Sequence, residues 1–180
     1  MLELEVKGKE YYNEITNEFI EIPSCTLKLE HSLASLSEWE SKWNKPFISD
    51  KPKTIEETID YIKCMCLNLC DVHPLTFNSL TQSDLNMIYN YMDSKQTATW
   101  FSERERSTPN RDVITAEIIY YWMVSFRIPF ECQYWHLNKL LTLIRVCDIK
   151  NKPPKKMSKQ EAARQRMALN NKRLKKGRHK

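Results

Sequence analysis

Residues 113–147 read VITAEIIYYWMVSFRIPFECQYWHLNKLLTLIRVC. From Val113 to Phe126 apolar side chains dominate, with Ile118, Ile119, Tyr120, Tyr121, Trp122 and Met123 in an unbroken run. A helix that is oily on nearly all sides belongs in an interior, so this segment predicts a central helix covered by its neighbours. Pro129 breaks it, because proline cannot donate the next helical hydrogen bond. From about Glu131 to Cys147 the spacing of Trp135, Leu137, Leu140, Leu141, Ile144 and Val146 predicts a second strong helix. The short link at Pro129 favours an antiparallel hairpin of the two. The fold is decided here as mainly α.

Working outward, residues 102–112 carry no apolar side chain and predict an exposed loop. A helix is expected from near Ser83, with Leu85, Ile88, Tyr89 and Met92 as its apolar face. Thr54-Ile55-Glu56-Glu57 has the form of a capping box. Behind it Ile55, Ile59, Ile62, Cys66 and Leu69 recur every three or four residues, which predicts one buried helical stripe ending before Pro74. Ser35 to Trp43 sets Leu36, Trp39, Glu40 and Trp43 at turn-like spacing until Lys45-Pro46 stops the helix.

The first thirty residues alternate instead. Leu2, Leu4 and Val6 fall on one face and Glu3, Glu5 and Lys7 on the other, and Phe19–Ile22 and Thr26–Glu30 repeat the pattern. Period two over short runs predicts a small antiparallel sheet, which needs a helical partner to cover its apolar face. The expected class is therefore mainly α (α+β). A small N-terminal antiparallel β-sheet packs on a helical bundle, with a basic C-terminal tail, helical or disordered. The globular domain spans 1–149, β-rich over 1–31 and helical over 32–149, and the tail spans 150–180. Lys152-Pro153-Pro154-Lys155-Lys156 is a stiff charged linker, and Ser158-Lys159-Gln160-Glu161 caps a last helix with little apolar surface.

Charge sharpens that division. Of 28 basic and 23 acidic residues, 13 lysines and arginines fall in 150–180 against one acid, Glu161, for a net +12. Residues 1–149 then carry 15 basic and 22 acidic residues, a net −7. An acidic body is joined to a cationic arm able to fold back or to reach an acidic partner. The only glycines are Gly8 and Gly177, so neither a P-loop nor a dinucleotide fingerprint can be written on this chain. No run of 18 apolar residues suggests a membrane span. The acidic start, Met1-Leu2-Glu3-Leu4-Glu5, does not fit a secretory signal, so the six cysteines are expected to be free thiols.

The sharpest constellation is Cys64-x-Cys66-x3-Cys70-x2-His73. Thiolates and imidazole suit zinc, but Cys64 and Cys66 lie about 200° apart on a continuing helix, so buried thiols packing as small hydrophobes are favoured. Cys132 and His136, four apart, lack an evident orienting acid or oxyanion donor, and packing is favoured there too. His31 is uninformative alone. The pairs Glu38/Glu40, Glu56/Glu57 and Glu103/Glu105 read as caps or solvated carboxylates, and Glu117 pairs with Arg127 or Arg145 or faces water. No catalytic, cofactor-binding or metal residue is assigned, no cofactor is expected, and an enzyme is not. Trp39 and Trp43 pack the core or form an aromatic docking face. The tail's Lys155, Lys156, Arg164, Arg166, Lys172, Arg173, Lys175 and Lys176 are the other candidate partner-binding residues. With no aromatic for base stacking in its last stretch, the tail supports at most nonspecific, salt-sensitive nucleic-acid binding.

Two stretches carry a resemblance: LEHSLASLSEWESKWNKPF at 29–47, and ITAEIIYYWMVSFRIPFECQYWHLNKLLTLIRVCDIK at 114–150 with KPPKKMSK at 152–159. They resemble the tail assembly chaperones of tailed bacteriophages. The resemblance implies a non-enzymatic protein of the host cell cytoplasm that binds the long, helical tape measure protein and helps recruit tail tube subunits. A homo-oligomer is open, nucleic acid is a lesser candidate, and no membrane partner is expected. The rival readings are a structural tail or baseplate component of the virion and a nonspecific nucleic-acid-binding protein acting through the basic tail.

Overall fold

A computed structural model describes residues 1–13, 17–49, 51–101, 113–152, 163–164 and 166–170. The chain is mainly helical with a small antiparallel sheet at its N-terminus, and it divides into two compact units, Met1–Asp148 and Ile149–Lys180. The expected loop at 102–112 and most of the tail lie outside the described residues.

Four strands come first: β1 (Leu2–Val6), β2 (Lys9–Asn13), β3 (Glu18–Ile22) and β4 (Cys25–Leu29). β1 pairs antiparallel with β4 from Leu2↔Leu29 to Val6↔Cys25, and β2 with β3 from Lys9↔Ile22 to Asn13↔Glu18. Both pairings keep one register, so the strands form a single long hairpin interrupted at Lys7-Gly8 and Pro23-Ser24. Pro23 has no N–H to continue the ladder. Gly8 is dictated by close approach, since a Cβ there would lie 2.7 Å from the Ile22 carbonyl oxygen and 3.0 Å from the Ser24 nitrogen. The interruption turns the ribbon over. Even-numbered Leu4 and Val6 of β1 are buried, whereas even-numbered Glu10 and Tyr12 of β2 are exposed.

Helices α1 (Leu33–Trp43), α2 (Ile55–Met65), α3 (Gln82–Asp93), α4 (Ala116–Ser125) and α5 (Leu137–Asn151) follow, with 3-10 turns at Leu69–Asp71, Pro74–Ser79 and Phe130–Tyr134. α1 starts two residues before the expected Ser35, because Ser32 is the cap and the Ser35 hydroxyl answers the Ser32 N–H. Asn44, left-handed at φ 52°, ends it. The capping box read at Thr54 and Glu57 is present, and Thr81 with Asp84 makes another at the start of α3. Each such cap satisfies amide donors that a helix start would otherwise leave unpaired.

α1 is the hub. It packs against α2, α4 and the 3-10 turn at Phe130–Tyr134, while β1 lies on α3 and β4 on α2. Leu27, Leu29, Leu33, Leu36, Met65, Ile119 and Leu140 meet in a core without solvent access. The rings of Trp39, Phe47 and Tyr61 continue it, with Phe47 stacked on Tyr61 at 3.8 Å and edge-on to Trp39 at 5.1 Å.

Three expectations are corrected. The stripe of α2 is only partly the one read from spacing: Ile62 and Cys66 are buried and Ile59 packs against the core, but Ile55 is 78% exposed and Leu69 46%, and Glu57, Asp60, Tyr61 and Met65 turn inward as well. The helix stops at Met65, and the next residues pair with the hairpin through Glu30 N–H to Met65 O and Leu67 N–H to Lys28 O, so helical spacing no longer applies. Asp60 and Glu57 tolerate burial because Lys42 and Trp43 bond the former and Lys45, at 2.5 Å, the latter. The expected pairing of α4 with the next helix is replaced by packing on α1. Finally, α4 is not covered on all sides.

Candidate partner-binding surface

Only Ala116, Ile119 and Met123 of α4 are buried, on the side facing α1. At about 100° per residue, Ile118, Tyr121, Trp122 and Val124 fall on the other side together with Glu117 and Ser125. Tyr121 is 68% exposed and Val124 59%, and Ile118 and Trp122 are half-buried. The patch runs on into the following 3-10 turn. There Tyr120 donates to Gln133 Oε1 at 2.8 Å, and its ring lies 6.3 Å from that of Phe130. Phe130 is 55% exposed and Tyr134 64%. With uncovered aromatics worth roughly 150–250 Å² each when fully buried, these residues leave on the order of 450 Å² of side-chain surface in one place. That matches the largest patch found on typical soluble chains, which is commonly functional.

Two exposed charges stand at the two ends of the helix. Glu117 opens α4, exposed, its carboxyl held below the usual range by its own backbone amide and by the Thr115 hydroxyl. Arg127, at φ 55°, stands exposed just past the far end. Among the described residues neither has an ionic partner, so Glu117 takes the water-facing alternative. The position of α4 itself is fixed from inside. Glu40, buried in α1, accepts from the Phe47 N–H and the Ala116 N–H, both at 2.7 Å, and so ties the first turn of α4 to α1 and to the chain after it. The reading of Glu38 and Glu40 as capping or solvated carboxylates therefore fails for Glu40. Its place beside Leu36 and Trp39 on the apolar stripe was the available signal.

The polar interior is a second constellation, and it is bonded for structure. The Tyr61 hydroxyl lies 2.6 Å from His31 Nδ1. His136 Nδ1 accepts from the Asn138 N–H at 3.3 Å, which leaves its Nε2–H to donate to the Tyr91 carbonyl at 3.1 Å. The two imidazoles meet edge to face at 5.4 Å, and the Tyr91 hydroxyl donates to Glu30 at 2.6 Å. Burial first, and then the neighbouring His136, push His31 down to about 4; burial also lowers His136. Burial and the bond to Glu30 raise Tyr91 above the usual phenol range, and burial raises Tyr61 further. These groups hold the end of β4, the start of α5 and helices α2 and α3 together. His136 spends both ring nitrogens on backbone groups, so Cys132 and His136 form no poised nucleophile pair.

The remaining sequence candidates fall as follows. Trp39 is 1% exposed and donates to the Glu57 carbonyl at 2.9 Å, so it occupies the core. Trp43, half-buried, stacks on it at 6.1 Å and donates to Asp60 at 2.9 Å. Arg164 and Arg166 are exposed on a helical stretch, and Lys155, Lys156, Lys172, Arg173, Lys175 and Lys176 lie outside the described residues. Cys64 is half-buried and pushed up to about 12 by that burial, Cys66 is buried 3.4 Å from Asn68 Oδ1, and Cys70 and His73 are exposed. Among the described residues no three His, Cys, Asp or Glu side chains are grouped to hold a metal ion, and no helix is long and apolar enough to cross a membrane. No family model, no curated protein and no solved structure matches this chain.

Proposed function

We propose that this chain is a non-enzymatic tail assembly chaperone of a tailed bacteriophage, working in the host cytoplasm. It binds apolar helical segments of the tape measure protein and promotes tail tube assembly around them. The observation that carries this reading is the uncovered face of α4, Ile118, Tyr121, Trp122 and Val124, continued by Phe130 and Tyr134. A helix lying along a helix is a recurrent way to hold a partner segment, and exposed tyrosines and tryptophans are the side chains that dominate such interfaces. The cationic tail adds attraction and reach toward an acidic partner. The rival, a structural tail component, shares the surface but differs in fate.

Co-expression with the tape measure protein tests the reading. The wild-type chain keeps the tape measure protein soluble and co-purifies with it, the Tyr121→Asp variant does neither, and mass spectrometry of mature particles finds the chain absent. Retention of the tape measure protein by Tyr121→Asp refutes the α4 site, and stoichiometric recovery from virions assigns the chain to the tail itself.

A further inference from the structure

Opposite charges exposed at the two ends of α4 make the helix self-complementary along its axis, and we propose that in the absence of partner a second copy of this chain covers its uncovered side. This rests on the α4 face as the binding surface and assigns its resting state: a two-fold dimer in which α4 crosses its counterpart antiparallel.

The direction follows from the charges. Glu117 sits at the start of α4 and Arg127 just past its end, roughly 15 Å apart along the axis at about 1.5 Å per residue. A parallel crossing sets Glu117 against Glu117 and Arg127 against Arg127. An antiparallel crossing sets each Glu117 against the other copy's Arg127, twice, with Tyr121 and Trp122 near the axis. Two-fold contacts have this property, that any pair is made twice. The apolar side chains between the charges carry no formal charge to oppose closure.

Area sets the strength. With on the order of 450 Å² offered by each copy, about 900 Å² is covered in all, below the roughly 1,200 Å² at which specific interfaces become durable. The dimer is therefore weak and reversible. That is the useful regime for a protective cap: it hides the oily face from aggregation and yields to a longer apolar helix. Self-association and capture of the tape measure protein exclude one another.

The experiment uses the full-length chain in sedimentation across a concentration series. The wild type shows a monomer–dimer equilibrium, and Tyr121→Asp, at an exposed position, stays monomeric while keeping its circular dichroism and melting temperature. Glu117→Arg and Arg127→Glu each weaken self-association by about tenfold, since two attractive pairs become repulsive. Mixed together the two variants form a heterodimer, because one carries both positive ends and the other both negative ends. A wild type that is monomeric throughout, a dimer indifferent to Tyr121→Asp, or a mixture with no preference for the heterodimer each overturns the proposal. Co-purification of the tape measure protein is read on the same samples. Capture without a dimer removes this inference and keeps the chaperone reading; a dimer without capture does the reverse.

Discussion

Acidification should destabilise this protein well above the pH at which its carboxylates titrate, and His31 is the reason. In the folded chain burial and the neighbouring His136 hold its imidazole down to about 4. Unfolded, a histidine titrates near 6.5. Between those values the unfolded chain binds a proton that the folded chain refuses, so His31 leaves stability intact above about pH 6.5 and removes it as the pH falls toward 4. At pH 5 the loss is about 2 kcal/mol, and at pH 4 it approaches 3. A margin of 5–15 kcal/mol is ordinary for a domain, so this is a large fraction of it. His136 adds to the loss in the same direction, since its imidazole is also held down. Of the groups that face the pair, Glu30 favours protonation of both rings and the Tyr91 carbonyl favours that of His136, while the Met1 ammonium opposes it, and burial outweighs them. Asp60 and Glu57, whose carboxyls lie below the usual range, lose their contribution only at lower pH. Urea unfolding followed by tryptophan emission at about pH 7.5 and at pH 5 measures the change. The His31→Asn variant supplies the control, because its side-chain amide can meet the Tyr61 hydroxyl as donor or acceptor and it cannot titrate. The wild type should lose about 2 kcal/mol more than the variant across this interval. Equal losses in the two proteins would refute the assignment, whatever their absolute stabilities.

Glu40→Gln should cost about 2–3 kcal/mol in denaturant unfolding, because one of the two buried amides that it bonds, at Phe47 and Ala116, loses its acceptor; an unchanged midpoint refutes the bridge. Gly8→Ala should cost roughly 1–3 kcal/mol, since its methyl would press on the Ile22 carbonyl and Ser24 nitrogen; a neutral effect means that the hairpin shifts freely at its break. If the tail meets nucleic acid, the affinity of the full chain should fall linearly with the logarithm of salt, by a slope of about 0.9 per phosphate neutralised, and removal of 152–180 should abolish it. A flat salt response rules out phosphate-led binding.

The helices were legible wherever a cap and a local stripe agreed. Thr54 with Glu57 fixed the start of α2, and the short spacing between Leu36 and Trp39 placed α1 on the core. The strands were legible from alternation within each half of the hairpin, but not the turnover between halves, because Gly8 and Pro23 act through a close approach of two distant backbones. The α2 stripe held at Ile62 and Cys66 and failed at its ends for a similar reason. Ile55 has the right spacing, yet Asp60 and Glu57 take the inward side once Lys42, Trp43 and Lys45 satisfy them. No local pattern reports a partner supplied by another element. His31 and His136, separated by 105 positions, carried no signal of their meeting until the fold set their rings 5.4 Å apart.

The most informative failure is α4. Its composition demands cover on nearly every side, and among the described residues it is provided on one, through Ala116, Ile119 and Met123 against α1. The usual inference, from an all-apolar helix to a buried helix, assumes that the chain supplies its own cover. Here about half of the helix surface is left to something else. Such exposure carries a standing cost in aggregation, and the face could have been made polar without touching the core, since Tyr121 and Val124 contribute little to it. Glu117 and Ser125 stand four residues before and after Tyr121 on this same side, so polar residues are tolerated here. Ile118, Tyr121 and Val124 nevertheless stay apolar between and beside them. A binding surface explains that choice, and the same choice makes the face the place where substitution separates folding from function: Tyr121→Asp should leave the melting temperature alone and remove the partner.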